Sequence, residues 1–136
     1  MKELPDHFKT DQRGTAYAGD HMLIELWDAH NLTDAGLIEQ TLTRAARAAE
    51  ATVLHAYYHP FGEGQGVSGV TVLAESHISI HTWPERGYAA IDVFMCGDCD
   101  PNRTLPEIER AFMPGRIETR LFKRGVVSKE QIKSVA

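Results

Sequence analysis

The sequence predicts an α+β fold, in which one antiparallel sheet carries two helices on a single face as a two-layer sandwich. Two segments have apolar residues at three- and four-residue steps, which is typical of helices. Six segments are rich in β-branched and aromatic residues, and most are joined by turns too short for parallel neighbours. With 136 residues, the chain is expected to form one domain over 1–136.

The predicted elements follow the order β-α-β-β-β-β-α-β. The first 19 residues are polar and lack a period, so they are expected to form a loose arm, and the tail after the last strand is polar too. The predicted strands are 21–27, 52–58, 67–74, 77–83, 88–95 and 117–122, the last of them at a sheet edge. Proline and glycine indicate turns at 60–66 and 84–87, and 97–104 is expected to be a loop.

The first helix is predicted over 36–51, after a loop whose Asn31, Thr33 and Asp34 can each cap its free backbone N–H groups. Its buried stripe is expected to comprise Leu37, Ile38, Leu42, Ala45, Ala46 and Ala49. Its outer face is expected to comprise Thr41, Arg44, Arg47 and Glu50. The second helix is predicted over 105–112, with a proline in its first turn, where proline is tolerated.

Two helices can cover only one face of such a sheet, and the other face is not clearly polar. The strand over 88–95 carries apolar residues on both sides of the pleat. Because an uncovered apolar sheet face is usually an interface, we expect a homodimer. In it, two sheets pack face to face and give a four-layer αββα assembly.

Composition narrows the choice of partners. The formal net charge of −5 gives no electrostatic reason to expect nucleic acid or an anionic membrane. No apolar run approaches the roughly 20 residues of a membrane span, and the N-terminus lacks the apolar core of a secretory signal. We therefore expect a cytoplasmic protein, in which Cys96 and Cys99 form no structural disulfide.

Reactive side chains are concentrated between Glu75 and Glu85, in the sequence ESHISIHTWPE. A buried polar atom without a partner costs about 1–3 kcal/mol, so a strand that only filled a core would not carry so many. In a regular pleat one face would hold His77, Ser79, His81 and Trp83, and the other Ile78, Ile80 and Thr82. The simplest alternative is a strand with one solvated face in a non-catalytic dimeric module.

Two further chemistries are open on residue types alone. A zinc site could be assembled from His77, His81, Cys96 and Cys99, although a single CxxC without a second pair is a weak signal. A nucleophile could be provided by Ser68, Ser76 or Ser79 with a histidine base. No G-x-S-x-G elbow supports an ordinary serine hydrolase, however.

Several segments together closely resemble the short prokaryotic S-adenosylmethionine decarboxylases. They are GVSG at 66–69, LAESHISIHTWPE at 73–85, YAAIDVF at 88–94 and MCGD at 95–98. The resemblance extends from about residue 21 to residue 125. The sheet-on-sheet dimer that it implies agrees with the pattern argument, and in that family the active sites lie at the dimer interface.

The resemblance implies an enzyme that makes its own cofactor. The precursor would break its backbone between Glu75 and Ser76, giving a β chain of residues 1–75 and an α chain of residues 76–136. Ser76 would become a pyruvoyl group, which forms a Schiff base with the substrate amine and acts as the electron sink. The family's chemistry uses neither a metal nor pyridoxal phosphate.

The resemblance also assigns roles to single residues. His81 matches the base that removes the Ser76 α-proton, and Ser68 matches a residue that assists processing. Cys96 matches the proton donor of the later decarboxylation, for which it must stay a thiol at the working pH. The acyl shift that starts processing needs a strained peptide, so strain is expected at Glu75 and Ser76. Cys99 matches no functional residue.

The implied reaction is the decarboxylation of S-adenosylmethionine, which gives the aminopropyl donor of spermidine biosynthesis. Diverged members of the family decarboxylate L-ornithine or L-arginine with the same processing motif, so these substrates remain alternatives. A sulfonium cation and an adenine need aromatic and acidic groups. The candidates for these contacts are Trp83, Glu85, Phe61 and Tyr57.

Overall fold

The computed structural model describes residues 6–127. Its strands are β1 (Lys9–Thr10), β2 (Ala16–Tyr17), β3 (Gly19–Trp27), β4 (Val53–Pro60), β5 (Val67–Leu73), β6 (Ser76–Trp83), β7 (Tyr88–Met95) and β8 (Arg116–Arg124). Its helices are α1 (Ala35–Ala48) and α2 (Leu105–Phe112), with single 3-10 turns at Pro84–Arg86 and Pro101–Thr104. The polar tail predicted beyond 127 and the first five residues of the predicted arm lie outside the described residues.

One six-stranded sheet with the order β4-β5-β6-β7-β3-β8 organises the fold, and all its neighbouring strands are antiparallel. Helix α1 packs on β4 and β5 and contacts α2. The core between helices and sheet includes Met22, Ile24, Leu26, Ile38, Leu42, Ile78, Ile80, Ile91, Val93, Ile108 and Phe112. These observations confirm the predicted sheet, its two helices and β8 as an edge strand.

Helix α1 begins at the predicted cap and ends earlier than predicted. The Asp34 carboxylate accepts a hydrogen bond from the Leu37 N–H, 3.0 Å away. The helix stops at Ala48 because Glu50 adopts a positive φ of 65° and turns the chain out of the helix. Thr41 is buried, so its assignment to the outer face was wrong. Its hydroxyl donates to the Leu37 carbonyl, 2.8 Å away, which satisfies it inside the core.

The N-terminal residues are more ordered than the sequence indicated. Strands β1 and β2 form a small antiparallel hairpin, outside the main sheet. Lys9 and Tyr17, one from each strand, are only 1% and 2% exposed. The expectation of a loose arm was therefore wrong for the described part of this segment. Strands of two residues are too short to show a hydrophobic period, so the sequence contains no sign that Lys9 and Tyr17 are buried.

The face of the sheet away from the helices remains partly open. Its side chains include Leu23, Val72, Trp83 and Phe122, which are 37–47% exposed. They come from four different strands and alternate with the buried side chains of the core. The apolar character expected for this face is thus present, whereas the homodimer itself stays a prediction.

Thr82 links the sheet to the loop before α1, and replacing it tests this core connection. Its buried hydroxyl accepts from the Val67 N–H at 2.8 Å and donates to the Leu32 carbonyl at 2.7 Å. Thr82→Val should lower the free energy of unfolding by about 1–3 kcal/mol, because both backbone groups lose their partner. Urea denaturation would measure this. Thr119→Val, at an exposed position on β8, is the matched control, and equal losses in both variants would contradict the argument.

Candidate active site

The hairpin between β5 and β6 holds a strained residue. Leu73 pairs with Ser76, so Ala74 and Glu75 form the turn. Glu75 has a φ of 63°, in the left-handed region that favours glycine. A hydrogen bond from the Ala74 N–H to the Thr52 carbonyl, 2.9 Å away, ties the turn to the residue before β4. Backbone strain is therefore present at Glu75, the residue before the predicted cleavage point.

Cys96 follows the end of β7 and lies directly against this turn. Its thiol donates to the Glu75 carbonyl oxygen, with an Sγ–O distance of 2.9 Å. Its backbone N–H donates to the Ser76 hydroxyl at 3.3 Å, and the thiol and hydroxyl are 3.7 Å apart. The structure thus brings Glu75, Ser76 and Cys96 together.

This arrangement favours attack on the peptide bond between Glu75 and Ser76. The Ser76 hydroxyl belongs to the residue that follows the carbonyl, and the Cys96 thiol polarises the same carbonyl. A donor aimed at a carbonyl oxygen stabilises the negative charge that develops there during attack. The adjacent pocket of about 250 Å³ has three acidic residues in its lining, Glu50, Glu75 and Asp98. Such a lining suits a cationic ligand.

Ser68 and His81 form a second pair, separate from the first. Their side chains are hydrogen-bonded, with an Oγ–Nδ1 distance of 2.8 Å, and the residues are direct neighbours on β5 and β6. His81 lies five residues beyond Ser76 on β6, which is about 16 Å at the rise of a strand. The pleat also sends the two side chains to opposite faces. Within one protomer, His81 does not reach the Ser76 α-proton.

The predicted substrate contacts lie with His81. Trp83 stacks at 5.4 Å between ring centroids on Tyr88, and its ring is 6.3 Å from that of His81. Glu85 is exposed in the 3-10 turn directly after β6, and Phe61, 60% exposed, follows β4. These side chains therefore accompany the Ser68–His81 pair and not the hairpin that holds Ser76.

Tyr57, the fourth candidate, is 59% exposed on β4. Its hydroxyl lies 3.2 Å from the Nδ1 atom of His59, whose ring in turn contacts Phe61 with a centroid distance of 4.8 Å. An aromatic row thus runs along the outer strand towards the Phe61 turn.

A polar network that the sequence did not reveal lies on the open face. The Asp92 carboxylate contacts the Nε2 atoms of His21 and His77 at 2.7 Å and 2.9 Å, and it also accepts from the Ser79 hydroxyl. These residues come from β3, β6 and β7, so only the strand register could have predicted their meeting. Burial acts to raise the pKa of Asp92, but the hydrogen bonds from His77, Ser79 and His21 outweigh it and hold the pKa well below its ordinary value.

The zinc site considered from the sequence is not formed by the described residues. His77 bonds to Asp92, His81 bonds to Ser68, and Cys96 contacts the hairpin about 16 Å from His81. Among the residues described, the one grouping with metal-like spacing is His21, His77 and Asp92. There the Arg124 guanidinium approaches the Nδ1 atom of His21 at 3.0 Å, and a fixed positive charge at that distance opposes cation binding.

Fold and site together define a small α+β protein in which a serine, a thiol and a strained peptide bond meet at one hairpin. The sequence profile of S-adenosylmethionine decarboxylase matches residues 20–125. The chain belongs to the S-adenosylmethionine decarboxylase family, as the resemblance indicated.

Individual relatives agree with this assignment. The S-adenosylmethionine decarboxylase proenzyme of Methanococcus maripaludis is 47% identical over 118 residues, which are 85% of this chain and 96% of that protein. The proenzyme of Thermomicrobium roseum is 40% identical over 110 residues, 80% and 95% of the two chains. The crystal structure of the adenosylmethionine decarboxylase from Aquifex aeolicus VF5 matches with a TM-score of 0.73 and 35% identity, covering 83% of this chain and 95% of that one.

The Asp92 network predicts a dependence of stability on pH. The hydrogen bond to Asp92 raises the pKa of His77 above its ordinary value of 6.5. Protonated His77 therefore favours the folded state below about 6.5, and this contribution is lost as the pH rises through the raised pKa. The urea midpoint should therefore fall as the pH rises above about 6.5.

His77→Gln should remove part of that decline, since glutamine does not titrate. His30→Gln, at an exposed position in the loop before α1, is the control and should keep the slope of the wild type. An unchanged slope in His77→Gln would show that the Asp92 contact does not influence stability in this range.

Proposed function

We propose that the protein is a pyruvoyl-dependent decarboxylase that acts on S-adenosylmethionine after cleaving its own backbone between Glu75 and Ser76. The observation that carries this proposal is the contact of the Cys96 thiol with the carbonyl of the strained Glu75. The names of the family and of the relatives support the substrate. The product would be decarboxylated S-adenosylmethionine, the aminopropyl donor for spermidine.

The first chemical step would be an acyl shift from nitrogen to oxygen. The Ser76 Oγ forms a bond to the Glu75 carbonyl carbon, and the peptide C–N bond breaks to give an ester with a free Ser76 amine. Loss of the Ser76 α-proton then breaks the Ser76 Cβ–Oγ bond and releases the new C-terminal carboxylate of Glu75. Water hydrolyses the imine that results at residue 76, which releases ammonia and leaves the pyruvoyl group. The strain at Glu75 and the thiol on its carbonyl both favour the first of these steps.

The residues at the hairpin fit a pyruvoyl group at position 76. Once formed, this group supplies a carbonyl that binds the substrate amine and accepts electrons when CO₂ departs. Cys96 would donate a proton at that position, and the distance of 3.7 Å between its Sγ and the Ser76 hydroxyl supports this role. The carboxylates of Glu50 and Asp98 border the same pocket and would attract the cationic end of a substrate.

A second copy of the chain would complete the site. Ser68 and His81 lie too far from Ser76 within one protomer, and Trp83, Glu85 and Phe61 lie with them. If two open faces packed about a two-fold axis, the His81 end of one β6 would lie over the Ser76 end of the other. The half-exposed apolar side chains on this face would then be covered. We therefore propose a homodimer with the active site at its interface.

The remaining features are consistent with a cytoplasmic enzyme that acts on a small molecule. Neither α1 nor α2, the helices of the described residues, is long and apolar enough to cross a bilayer. The relatives reported above carry no ornithine or arginine decarboxylase name, so S-adenosylmethionine is the proposed substrate.

Cleavage can be tested by mass spectrometry of the denatured protein. The wild type should give two fragments, residues 1–75 and 76–136, and the second should lack an ordinary amino terminus. Ser76→Ala should give one intact chain, because alanine has no oxygen to attack the Glu75 carbonyl.

Cys96→Ala is the matched control, since it keeps the hydroxyl. It should still be cleaved, though more slowly without the thiol on the Glu75 carbonyl, and its CO₂ release should fall strongly. An intact wild-type chain in an active preparation would rule out the pyruvoyl mechanism. CO₂ release from S-adenosylmethionine, ornithine and arginine, measured side by side, would identify the substrate.

Co-expression of two variants tests whether His81 acts across the dimer. Ser76→Ala and His81→Ala chains should each remain intact when expressed alone. In a mixed dimer, the Ser76→Ala chain would supply His81 to the Ser76 of its partner, so the His81→Ala chain should be cleaved. Different affinity tags would identify the cleaved chain. If His81→Ala chains stay intact in isolated mixed dimers, His81 does not serve the partner's serine.

A further inference from the structure

The N-terminal hairpin, defined here as residues 6–17, contacts the loop that carries Cys96. The Gly97 N–H donates to the His7 carbonyl at 2.8 Å. The Lys9 ammonium donates to the Cys99 carbonyl. Two backbone groups of the Cys96–Cys99 loop are thus held by the hairpin. The hairpin lies before residue 20, where the match to the family profile begins.

Lys9 is an unusual residue for this position because it is almost fully buried. Its residue exposure is 1%, and its ammonium forms an ion pair with Asp20 at 3.2 Å. Burying a charge is costly unless it is paired and hydrogen-bonded. Lys9 meets both conditions, through the Asp20 carboxylate and the Cys99 carbonyl. The Lys9 ammonium is therefore fixed between Asp20 and the loop, and it holds the Cys99 carbonyl in place.

The loop in turn determines where the Cys96 thiol points. The Cys99 N–H donates to the Cys96 carbonyl at 3.4 Å, which closes the loop into a turn. The thiol at the start of the turn donates to the Glu75 carbonyl, and its N–H donates to the Ser76 hydroxyl. A continuous series of hydrogen bonds therefore runs from Lys9 to the scissile peptide.

The other side of the hairpin is attached independently. Lys123 on β8 pairs with Asp11 at 3.1 Å, and the Val127 N–H donates to the Ala16 carbonyl at 2.9 Å. Neither contact involves the Cys96–Cys99 loop. Each end of the attachment thus has a lysine ion pair, Lys9 with Asp20 and Lys123 with Asp11, and of these two lysines Lys9 is the one that also bonds to the loop.

We propose that the N-terminal hairpin positions Cys96, and that Lys9 is the positioning residue through which it acts. The buried ammonium holds the Cys99 carbonyl, keeps the loop closed and maintains the thiol on the Glu75 carbonyl. The inference rests on the proposed function for its consequence in catalysis. The geometry of the thiol can be measured without it.

The main experiment compares the reactivity of Cys96 in matched variants. All are made in a Ser76→Ala, Cys99→Ser background, where Cys96 is the only cysteine, the chain stays uncleaved and the backbone carbonyls at 75 and 99 remain. Lys9→Met is combined with Asp20→Asn, so that no buried charge is left without a partner. Alkylation of Cys96 by iodoacetamide should become faster by about tenfold, because the thiol leaves its carbonyl acceptor and becomes accessible.

Steady-state kinetics should show the same displacement. In the Lys9→Met, Asp20→Asn protein, kcat should fall by about tenfold to a hundredfold while KM changes less than about twofold. Lys123→Met, which removes the ion pair on the other side of the hairpin, should change alkylation and kcat by less than about twofold. Alkylation within twofold of the background protein in the Lys9→Met, Asp20→Asn variant, or equal effects of Lys123→Met, would overturn the role of Lys9.

Hydrogen exchange on the wild-type protein provides a test that does not depend on whether any variant folds. If the hairpin and loop form one cooperative unit, the amides of Gly97 and of Asp11, which bonds to the Thr15 carbonyl at 3.0 Å, should open with the same free energy. Strong protection of Gly97 beside rapid exchange of Asp11 would contradict the proposal. An uncleaved wild type would instead reject the proposed function, and the alkylation comparison would still be valid on the intact chain.

Discussion

The pleat of β6 determines where every reactive side chain of the central stretch lies. Alternate residues point to opposite faces, so the strand sends Ile78 and Ile80 into the core and His77, Ser79 and His81 to the open face. Ser76, at the first position, escapes the core only because the strand begins there, next to the end of β7. The hydroxyl therefore meets Cys96, while His81 meets Ser68. This separation is why one protomer contains two half-sites.

The open face can carry both charge and apolar surface because its polar groups satisfy each other. Asp92 lies at the centre of this face, and hydrogen bonds from two histidines and Ser79 compensate for its partial burial. Leu23 and Phe122 remain available beside it for contact with another apolar surface. A second sheet could cover such a face without leaving a buried carboxylate unpaired. The network thus accounts for polar residues in a region that otherwise looks like an interface.

The sequence predicted helices and strands well where one hydrophobic period dominates a segment. It was less informative where contacts between residues far apart in sequence determine which side chains are buried or bonded. Strand β7 and helix α2 begin and end where predicted. The alternating pattern of the strand, and the proline and flanking loop of the helix, are signals between residues close in sequence. Thr41 was misassigned because its burial depends on a hydrogen bond that no hydropathy pattern shows. The meeting of His21 with Asp92 depends on register across strands 71 residues apart. For the site, the sequence could indicate that Glu75 and Ser76 form one reactive peptide, because they are neighbours in the chain. It could not indicate that His81 lies far from Ser76 within one protomer.

The position of Cys96 would allow one thiol to act in both of the proposed reactions. In the intact chain it donates to the Glu75 oxygen, on which negative charge develops when the Ser76 hydroxyl attacks. In the proposed mature enzyme, electron density develops beside the same residue 76 when CO₂ leaves, and the proton is needed there. Both steps therefore require a neutral donor at one location. A thiolate would repel the charge in the first step and hold no proton for the second, so both proposed steps depend on a thiol held at this position by the loop.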